Sequence, residues 1–160
     1  MYKRILVPID GSPTSIRGLD EAISLAKLGA GSLHLVHVLD RVIFASGETY
    51  TVDVFGMLRE AGERIVQQAK ARAAAAGVEA SAFISEPMPG RVCDVVAAQA
   101  QACKADLIVV GTHGRRGVSR LLVGSDAEQI VRIAPIPVLL VRGVPERSPV
   151  VEEAASVAAA

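Results

Sequence analysis

The segment DLIVVGTHG, Asp106 to Gly114, carries the clearest structural signal in the chain. It joins four consecutive aliphatic residues, Leu107 to Val110, to a turn that contains two glycines. A continuous aliphatic run of this length is typical of a strand that is buried on both faces, as the strands of parallel sheets are. Glycines directly after such a strand let backbone N–H groups approach a bound oxyanion, because no Cβ intervenes. The segment therefore predicts a buried strand that leads into a candidate phosphate-binding loop.

Aliphatic runs of the same kind alternate with helical patterns along the rest of the chain. The predicted strands are residues 4–9, 32–39, 79–85, 106–110 and 138–141. The predicted helices run from Ser12-Pro13 to near Gly29 and Gly31, over 54–76, over 91–103, and from Ser125 to Pro135. Strands that alternate with helices, without an internal repeat, predict an α/β fold. We expect an open, doubly wound, five-stranded parallel sheet with helices on both faces, a Rossmann-like arrangement.

The ends of the predicted helices carry recognisable signals. Ser12 followed by Pro13 predicts an N-cap with proline in the first turn. Gly77 predicts the end of the second helix, and Ser125 with Glu128 predicts a capping box at the start of the fourth. Residues 41–53 show no clear period and predict a surface loop. From Gly143 onward Pro, Glu, Ser and Ala dominate, so residues 1–142 are expected to form one domain and 143–160 a disordered tail.

Composition narrows the functional classes. The chain has 160 residues, of which 51% are hydrophobic and 3% aromatic, and its 17 basic residues balance 17 acidic ones. Without net charge there is no long-range attraction to nucleic acid or to acidic lipid. The apolar run Ile5–Ile9 is too short for a signal peptide or a membrane span, which favours a cytoplasmic protein. Cys93 and Cys103 lie roughly 15 Å apart along one helix, too far for a disulfide, and are expected to be buried free thiols.

Two polar or glycine-rich segments follow predicted strands at the edge where open parallel sheets bind ligands. They are Asp10-Gly11-Ser12 after the first strand and Gly111 to Gly117 after the fourth. Gly124-Ser125 then opens a helix, whose first N–H groups are free to bind an anion. Arg115, Arg116 and Arg120 add positive charge to this region.

The spacing of the glycines leaves two interpretations open. The loop lacks the Gly-Lys-Ser/Thr of a P-loop and does not match Gly-x-Gly-x-x-Gly. These two differences argue against a motor-type NTPase and a dehydrogenase. In one interpretation the loop holds phosphates. In the other, Gly111, Gly114 and Gly117 form a tight turn and Ser125 is only an N-cap. Asp10 also has two possible interpretations, either as a site residue or as a cap for the helix that follows it.

Four landmarks, in order, resemble the universal stress protein family. The motif Gly111-x₂-Gly114-x₉-Gly124-Ser125 is similar to that family's ATP-binding motif. Ile5 to Ser12 resembles its first strand and turn, and Ala105–Gly111 and Pro137–Arg142 resemble its last two strands. The similarity extends over residues 1–142, and the chain is identified as a single-domain member of the ATP-binding branch.

The resemblance implies a ligand and a set of site residues. It implies ATP, with Mg²⁺ held through the nucleotide phosphates and near Asp10, and a homodimer formed through the edge strand Val138–Val141. It implies a stress-response or regulatory module in which nucleotide is bound with little or no hydrolysis. The residues expected to bind ATP are Pro8, Asp10, Val38, Gly111, His113, Gly114, Arg115, Gly124 and Ser125. Val38 or its neighbour Leu39 is expected to contact adenine.

Other chemistries are less favoured by the residues. A slow ATP-hydrolysing or adenylate-handling enzyme needs a general base, and only Asp10 and His113 qualify, neither with an evident orienting partner. A receiver-type phosphoacceptor needs a second acidic residue beside Asp10. His34 and His37 are three apart on a strand, so they point to opposite faces and cannot share a metal; each is expected to be half-buried with its hydrogen bonds satisfied.

Overall fold

The structure is a computed structural model that describes residues 1–39, 54–85, 90–112 and 124–143. Strands and helices alternate along these residues. The strands are β1 (Arg4–Pro8), β2 (Ser32–His37), β3 (Ala80–Ile84), β4 (Leu107–Gly111) and β5 (Val138–Val141). The helices are α1 (Pro13–Gly29), α2 (Val54–Ala75), α3 (Val92–Ala102) and α4 (Ser125–Ile133). The predicted loop at 41–53 and the predicted tail beyond Gly143 lie outside the described residues.

The strands form one five-stranded sheet in the order β3-β2-β1-β4-β5, and every neighbouring pair is parallel. The predicted α/β fold with an open parallel sheet is therefore confirmed. The chain moves outward from β1 to β2 and β3, and then returns to place β4 on the other side of β1. The crevice at the carboxyl ends of β1 and β4 is thus the switch point of the sheet, where such folds bind ligands.

Two aliphatic cores cover the two faces of the sheet. On one face, Ile5 and Val7 of β1 pack with buried residues of α1 and α2 such as Leu19 and Val66. On the other face, Leu6 packs with buried residues of α3 and α4. Side chains alternate between the faces of a strand, so a strand covered on both sides must be apolar throughout. Each fully buried aliphatic side chain contributes about 1.5–3 kcal/mol, and these cores fix the positions of the strand ends.

Most predicted helix boundaries hold within one residue, and the first helix begins as expected. The Oγ atom of Ser12 accepts a hydrogen bond from the Ser15 N–H at 3.2 Å, and Pro13 occupies the first turn. Helix α1 ends at Gly29, and its C-cap Ala30 has a left-handed backbone with φ of 47°. Gly29 itself is required by packing, because a Cβ there would lie 2.5 Å from the Tyr2 carbonyl oxygen.

Three details of the prediction are wrong. Gly124, not Ser125, is the N-cap of α4, and no side chain caps this helix in the described structure, so there is no Ser125–Glu128 capping box. Strand β2 ends at His37, two residues earlier than predicted, after which the Leu39 N–H donates to the Ser85 Oγ. Cys103 is the C-cap of α3 and is half-buried rather than buried.

Candidate functional site

The ends of β1 and β4 lie side by side because the two strands pair in parallel register, with Leu6 opposite Ile108. Asp10 follows β1 closely, and Gly111 is the last residue of β4. The sheet thus places the two segments singled out from the sequence at one edge. This crevice is the candidate functional site.

The turn after β1 holds the Asp10 carboxylate in a fixed place. Its Oδ1 accepts a hydrogen bond from the Ser12 N–H at 2.9 Å. Gly11 between them has φ of +80°, a conformation that glycine adopts without steric cost. Ser12, and not Asp10, caps the helix that follows. The cap interpretation of Asp10 is therefore wrong, and its carboxylate stabilises the turn at the mouth of the crevice.

Gly111 is a packing glycine. A Cβ at this position would lie 2.5 Å from the Thr14 carbonyl oxygen and 3.0 Å from the Ser15 nitrogen. On the helix side, a Cβ at Gly18 would lie 3.3 Å from the Gly111 nitrogen. The first turns of α1 therefore lie directly against the end of β4, which only two glycines permit. This contact ties the Asp10 turn to the strand that leads into the glycine loop.

The start of α4 returns to the end of β4. The Gly124 N–H donates to the Thr112 carbonyl oxygen, and the buried Thr112 in turn donates its N–H to the Val141 carbonyl at 2.9 Å. The backbone of Gly124 is extended, with φ of −57° and ψ of 147°. The N–H groups of the first turn of a helix have no intrahelical acceptor. They lie here at the edge of the crevice, and in the described structure no side chain caps them.

The electrostatics of this helix start are mixed. Asp126 and Glu128 lie in the first turn of α4, where their negative charges interact favourably with the helix dipole. Glu128 is paired with Arg132 at 2.8 Å, one turn further along the helix. Both carboxylates are exposed. An anion at this helix start would therefore require additional positive charge.

The family match covers residues 1–142, the length of the described fold, and its model is that of the universal stress protein family. The chain belongs to the universal stress protein family. A universal stress protein of Methanocaldococcus jannaschii is 33% identical over 144 residues, covering 89% of this chain and 83% of that protein. The resemblance first seen in the four sequence landmarks is thereby confirmed.

Solved structures of the family share the fold. A universal stress family protein from Burkholderia pseudomallei is 32% identical, with a TM-score of 0.70 over 88% of this chain and 96% of that one. A universal stress protein crystallised in complex with cAMP is 26% identical, with a TM-score of 0.62 over 88% of this chain and 97% of that one. Adenine nucleotides are thus ligands of at least one structural neighbour in the family.

The predicted site residues of this family member fall into two groups. Pro8, Asp10, Val38, Gly111, Gly124 and Ser125 lie in the described structure. Val38, which is half-buried, follows β2 and packs against the core shared with α3 and α4. Ser125 is exposed as the first residue of α4. His113, Gly114 and Arg115 lie outside the described residues.

Three residues around the site were missed in the sequence. Ser85 and Thr112 are buried polar residues at the carboxyl ends of β3 and β4, and each bonds a neighbouring chain segment. Gly62 lies in α2, where a Cβ would be 2.7 Å from the His37 ring. An isolated glycine within a helical pattern is a signal of close approach. Gly62 could therefore have been found from the sequence.

Among the described residues no group of three His, Cys, Asp or Glu side chains is placed to hold a metal ion, and no helix is long and apolar enough to cross a membrane. Cys93 is buried, and burial raises the pKa of its thiol, which keeps it protonated and unreactive. Neither cysteine forms a disulfide in the structure. Among the described residues of the crevice, the groups available to a ligand are backbone N–H groups, hydroxyls and the Asp10 carboxylate.

Proposed function

We propose that this universal stress protein binds ATP between the Asp10 turn and the start of α4. The observation that carries the proposal is the hydrogen bond from the Gly124 N–H to the Thr112 carbonyl, which joins the helix start to the strand end. It places free helical N–H groups at the switch point, where phosphate chains bind in such folds. The structural neighbour crystallised with cAMP supports an adenine nucleotide as the ligand.

Each site residue has a proposed role. Ser125 holds phosphate oxygens through its backbone N–H, with its hydroxyl as a further donor. Gly124, whose own N–H is donated to Thr112, lets the phosphate approach because it has no Cβ. His113, Gly114 and Arg115 complete the phosphate site. Pro8 and Val38, at the ends of β1 and β2, form the apolar side toward the adenine. Gly111 acts through packing, since its missing Cβ lets α1 lie against β4.

Mg²⁺ is proposed as the companion of the nucleotide. The carboxylates of Asp126 and Glu128 lie in the first turn of α4 and oppose a bare triphosphate. Mg²⁺ prefers oxygen ligands and is usually held by one or two carboxylates together with substrate phosphates. Asp10 is the carboxylate proposed to lie beside the ion, because its position on the turn is fixed by Ser12.

Binding rather than turnover is the proposed output, in a cytoplasmic regulatory role. Hydrolysis needs a group that orients water and fixed positive charge on the developing oxyanions. The sequence from Gly111 to Ser125 contains no lysine, carboxylate or glutamine. A slow ATPase is therefore the second candidate, and it would need Asp10 or His113 as its base.

Thermal unfolding with and without Mg-ATP tests the proposal. A ligand that binds only the folded protein at a hundredfold excess over Kd stabilises it by about 2.7 kcal/mol. We expect a higher Tm with Mg-ATP, a smaller shift with ATP and EDTA, and none with Mg-GTP. Phosphate release measured in the same samples should remain far below about 1 s⁻¹, the low end for enzymes. An unchanged Tm would refute nucleotide binding, and rapid turnover lost in Asp10→Ala would favour the enzyme.

A homodimer is proposed through β5, an edge strand of the described sheet whose four aliphatic residues are half-buried. An edge strand offers unpaired backbone groups, and a two-fold mate would pair them. Sedimentation velocity at micromolar concentration should give twice the chain mass of 16.7 kDa. Leu139→Lys on this strand should give a monomer, and a wild-type monomer would contradict the proposal.

A further inference from the structure

The ring of His37 lies at the end of β2 and is buried, with 5% of its surface exposed. Its Nδ1 lies 2.7 Å from the carbonyl oxygen of Ile9, the residue directly after the neighbouring strand β1. A carbonyl oxygen can only accept a hydrogen bond, so Nδ1 must carry the proton. The prediction of a satisfied histidine was right, and the prediction that it is half-buried was wrong.

The carbonyl that His37 binds belongs to the residue directly before Asp10. The peptide group between Ile9 and Asp10 is planar, so fixing the Ile9 oxygen also fixes the direction in which the Asp10 backbone leaves the strand. The Ile9 N–H is held as well, by the Val36 carbonyl at 2.9 Å. Both polar groups of the last residue before the turn are therefore anchored to β2.

Helix α2 supports this arrangement from behind. A Cβ at Gly62 would lie 2.7 Å from the His37 Cδ2 and 2.9 Å from its Nε2, so the ring rests against the helix backbone. Three residues further along, Ile65 lies 3.2 Å from the place a Cβ of Gly11 would occupy. One face of α2 thus backs both the histidine ring and the turn that carries Asp10.

We propose that His37 is a positioning residue for the nucleotide site, which holds the Asp10 turn through the Ile9 carbonyl. The proposal rests on the proposed function for its consequence, the nucleotide affinity. Its geometric part does not need a ligand. His37 touches no nucleotide in this view and acts only through the carboxylate whose backbone it fixes.

Two substitutions separate the hydrogen bond from the packing of the ring. In His37→Asn the amide nitrogen is the same number of bonds from Cβ as Nδ1, so the donor is kept. In His37→Leu a side chain of comparable size has no donor, which leaves the Ile9 carbonyl unpaired. Leu33→Val, in the buried start of the same strand, is the control for a general loss of stability.

Amide hydrogen exchange of the unliganded protein provides the direct readout. The Ser12 N–H donates to Asp10, so its protection reports whether the turn is held. Relative to the Val7 amide in the core, the Ser12 amide should exchange about tenfold faster in His37→Leu, the loss of one buried hydrogen bond. It should be unchanged in His37→Asn and Leu33→Val. Equal exchange in wild type and His37→Leu, or equal acceleration in His37→Asn and His37→Leu, would overturn the proposal.

The Kd for Mg-ATP is then measured on the same four proteins. His37→Leu should weaken binding about tenfold, while His37→Asn and Leu33→Val stay close to wild type. Unchanged affinity in His37→Leu would show that the turn does not govern binding and would also overturn the proposal. If the wild type binds no Mg-ATP, the proposed function fails, and the exchange of the Ser12 amide still decides whether His37 positions the turn.

Discussion

Two helices begin at the candidate site, and their N-termini are completed in different ways. Helix α1 receives the Ser12 hydroxyl as its cap, and the Asp10 carboxylate accepts the Ser12 N–H just before it. Helix α4 begins after Gly124, and no side chain of the described structure caps it. Both starts lie at the same edge of the sheet. A turn satisfied by its own side chains therefore serves as a support, whereas the uncapped start of α4 is the one suited to a ligand.

The largest effect on stability is expected where the first turn of α1 touches the end of β4. Gly111→Ala places a Cβ against the backbone of Thr14, which cannot rotate away, and should lower the free energy of unfolding by about 2–3 kcal/mol. Urea unfolding of the unliganded protein measures this loss. Gly90→Ala is the matched control, because a Cβ at Gly90 meets open space, and should cost less than about 0.5 kcal/mol. If both variants were equally stable, the close packing of α1 on β4 would be refuted.

The next effect is a loss of stabilisation by nucleotide, and it is expected from a substitution at Gly124, the N-cap of α4. Gly124→Val keeps a backbone conformation that any residue adopts but puts a branched side chain where phosphate must approach. The free protein should keep its circular dichroism spectrum, while the stabilisation of about 2.7 kcal/mol by a hundredfold excess of Mg-ATP disappears. Thermal melts with and without Mg-ATP measure both quantities. Gly90→Val should retain the full nucleotide effect, and a Gly124→Val protein that also retained it would show that the motif is structural only.

The smallest effect distinguishes the role of Ser12 from that of Ser125. Ser12→Ala removes a cap and should lower the free energy of unfolding by about 1 kcal/mol without nucleotide. Ser125→Ala removes no cap and should leave that free energy unchanged, but it should weaken Mg-ATP binding. Denaturant unfolding and calorimetric titration of both variants distinguish the two roles. A stability loss of equal size in Ser125→Ala would mean that both helices are capped alike.

Much of this arrangement was readable from residue types. The run Leu107–Val110 predicted a strand buried on both faces, because only a covered parallel strand has no polar alternation. Ser12 with Pro13 predicted the start of α1, since both residues have strong positional preferences at helix starts. The glycine spacing and the four landmarks identified the family. These features are local, or are carried by order along the chain.

Two predictions about individual residues failed because another residue or helix took the position or packed against the side chain. Ser125 and Glu128 have the spacing of a capping box, yet Glu128 pairs with Arg132 and the extended residue at the cap is Gly124. His37 was expected to be half-buried, and its burial follows from the approach of α2 at Gly62. The competitors at α4 are local, since Arg132 is four residues from Glu128 and Gly124 adjoins Ser125, whereas the packing of α2 against His37 is not visible in a local window.

The alternation of strands and helices, the family and the two segments that meet at the switch point all follow from the order of residues along the chain. What the residues of those segments do there depends on how the elements pack. Gly111 is a glycine because α1 crosses it, and His37 anchors the strand end before the Asp10 turn. The physical reason is that local preference selects a backbone conformation, whereas the role of a side chain depends on partners from distant parts of the chain, which only the packed sheet brings within hydrogen-bond distance.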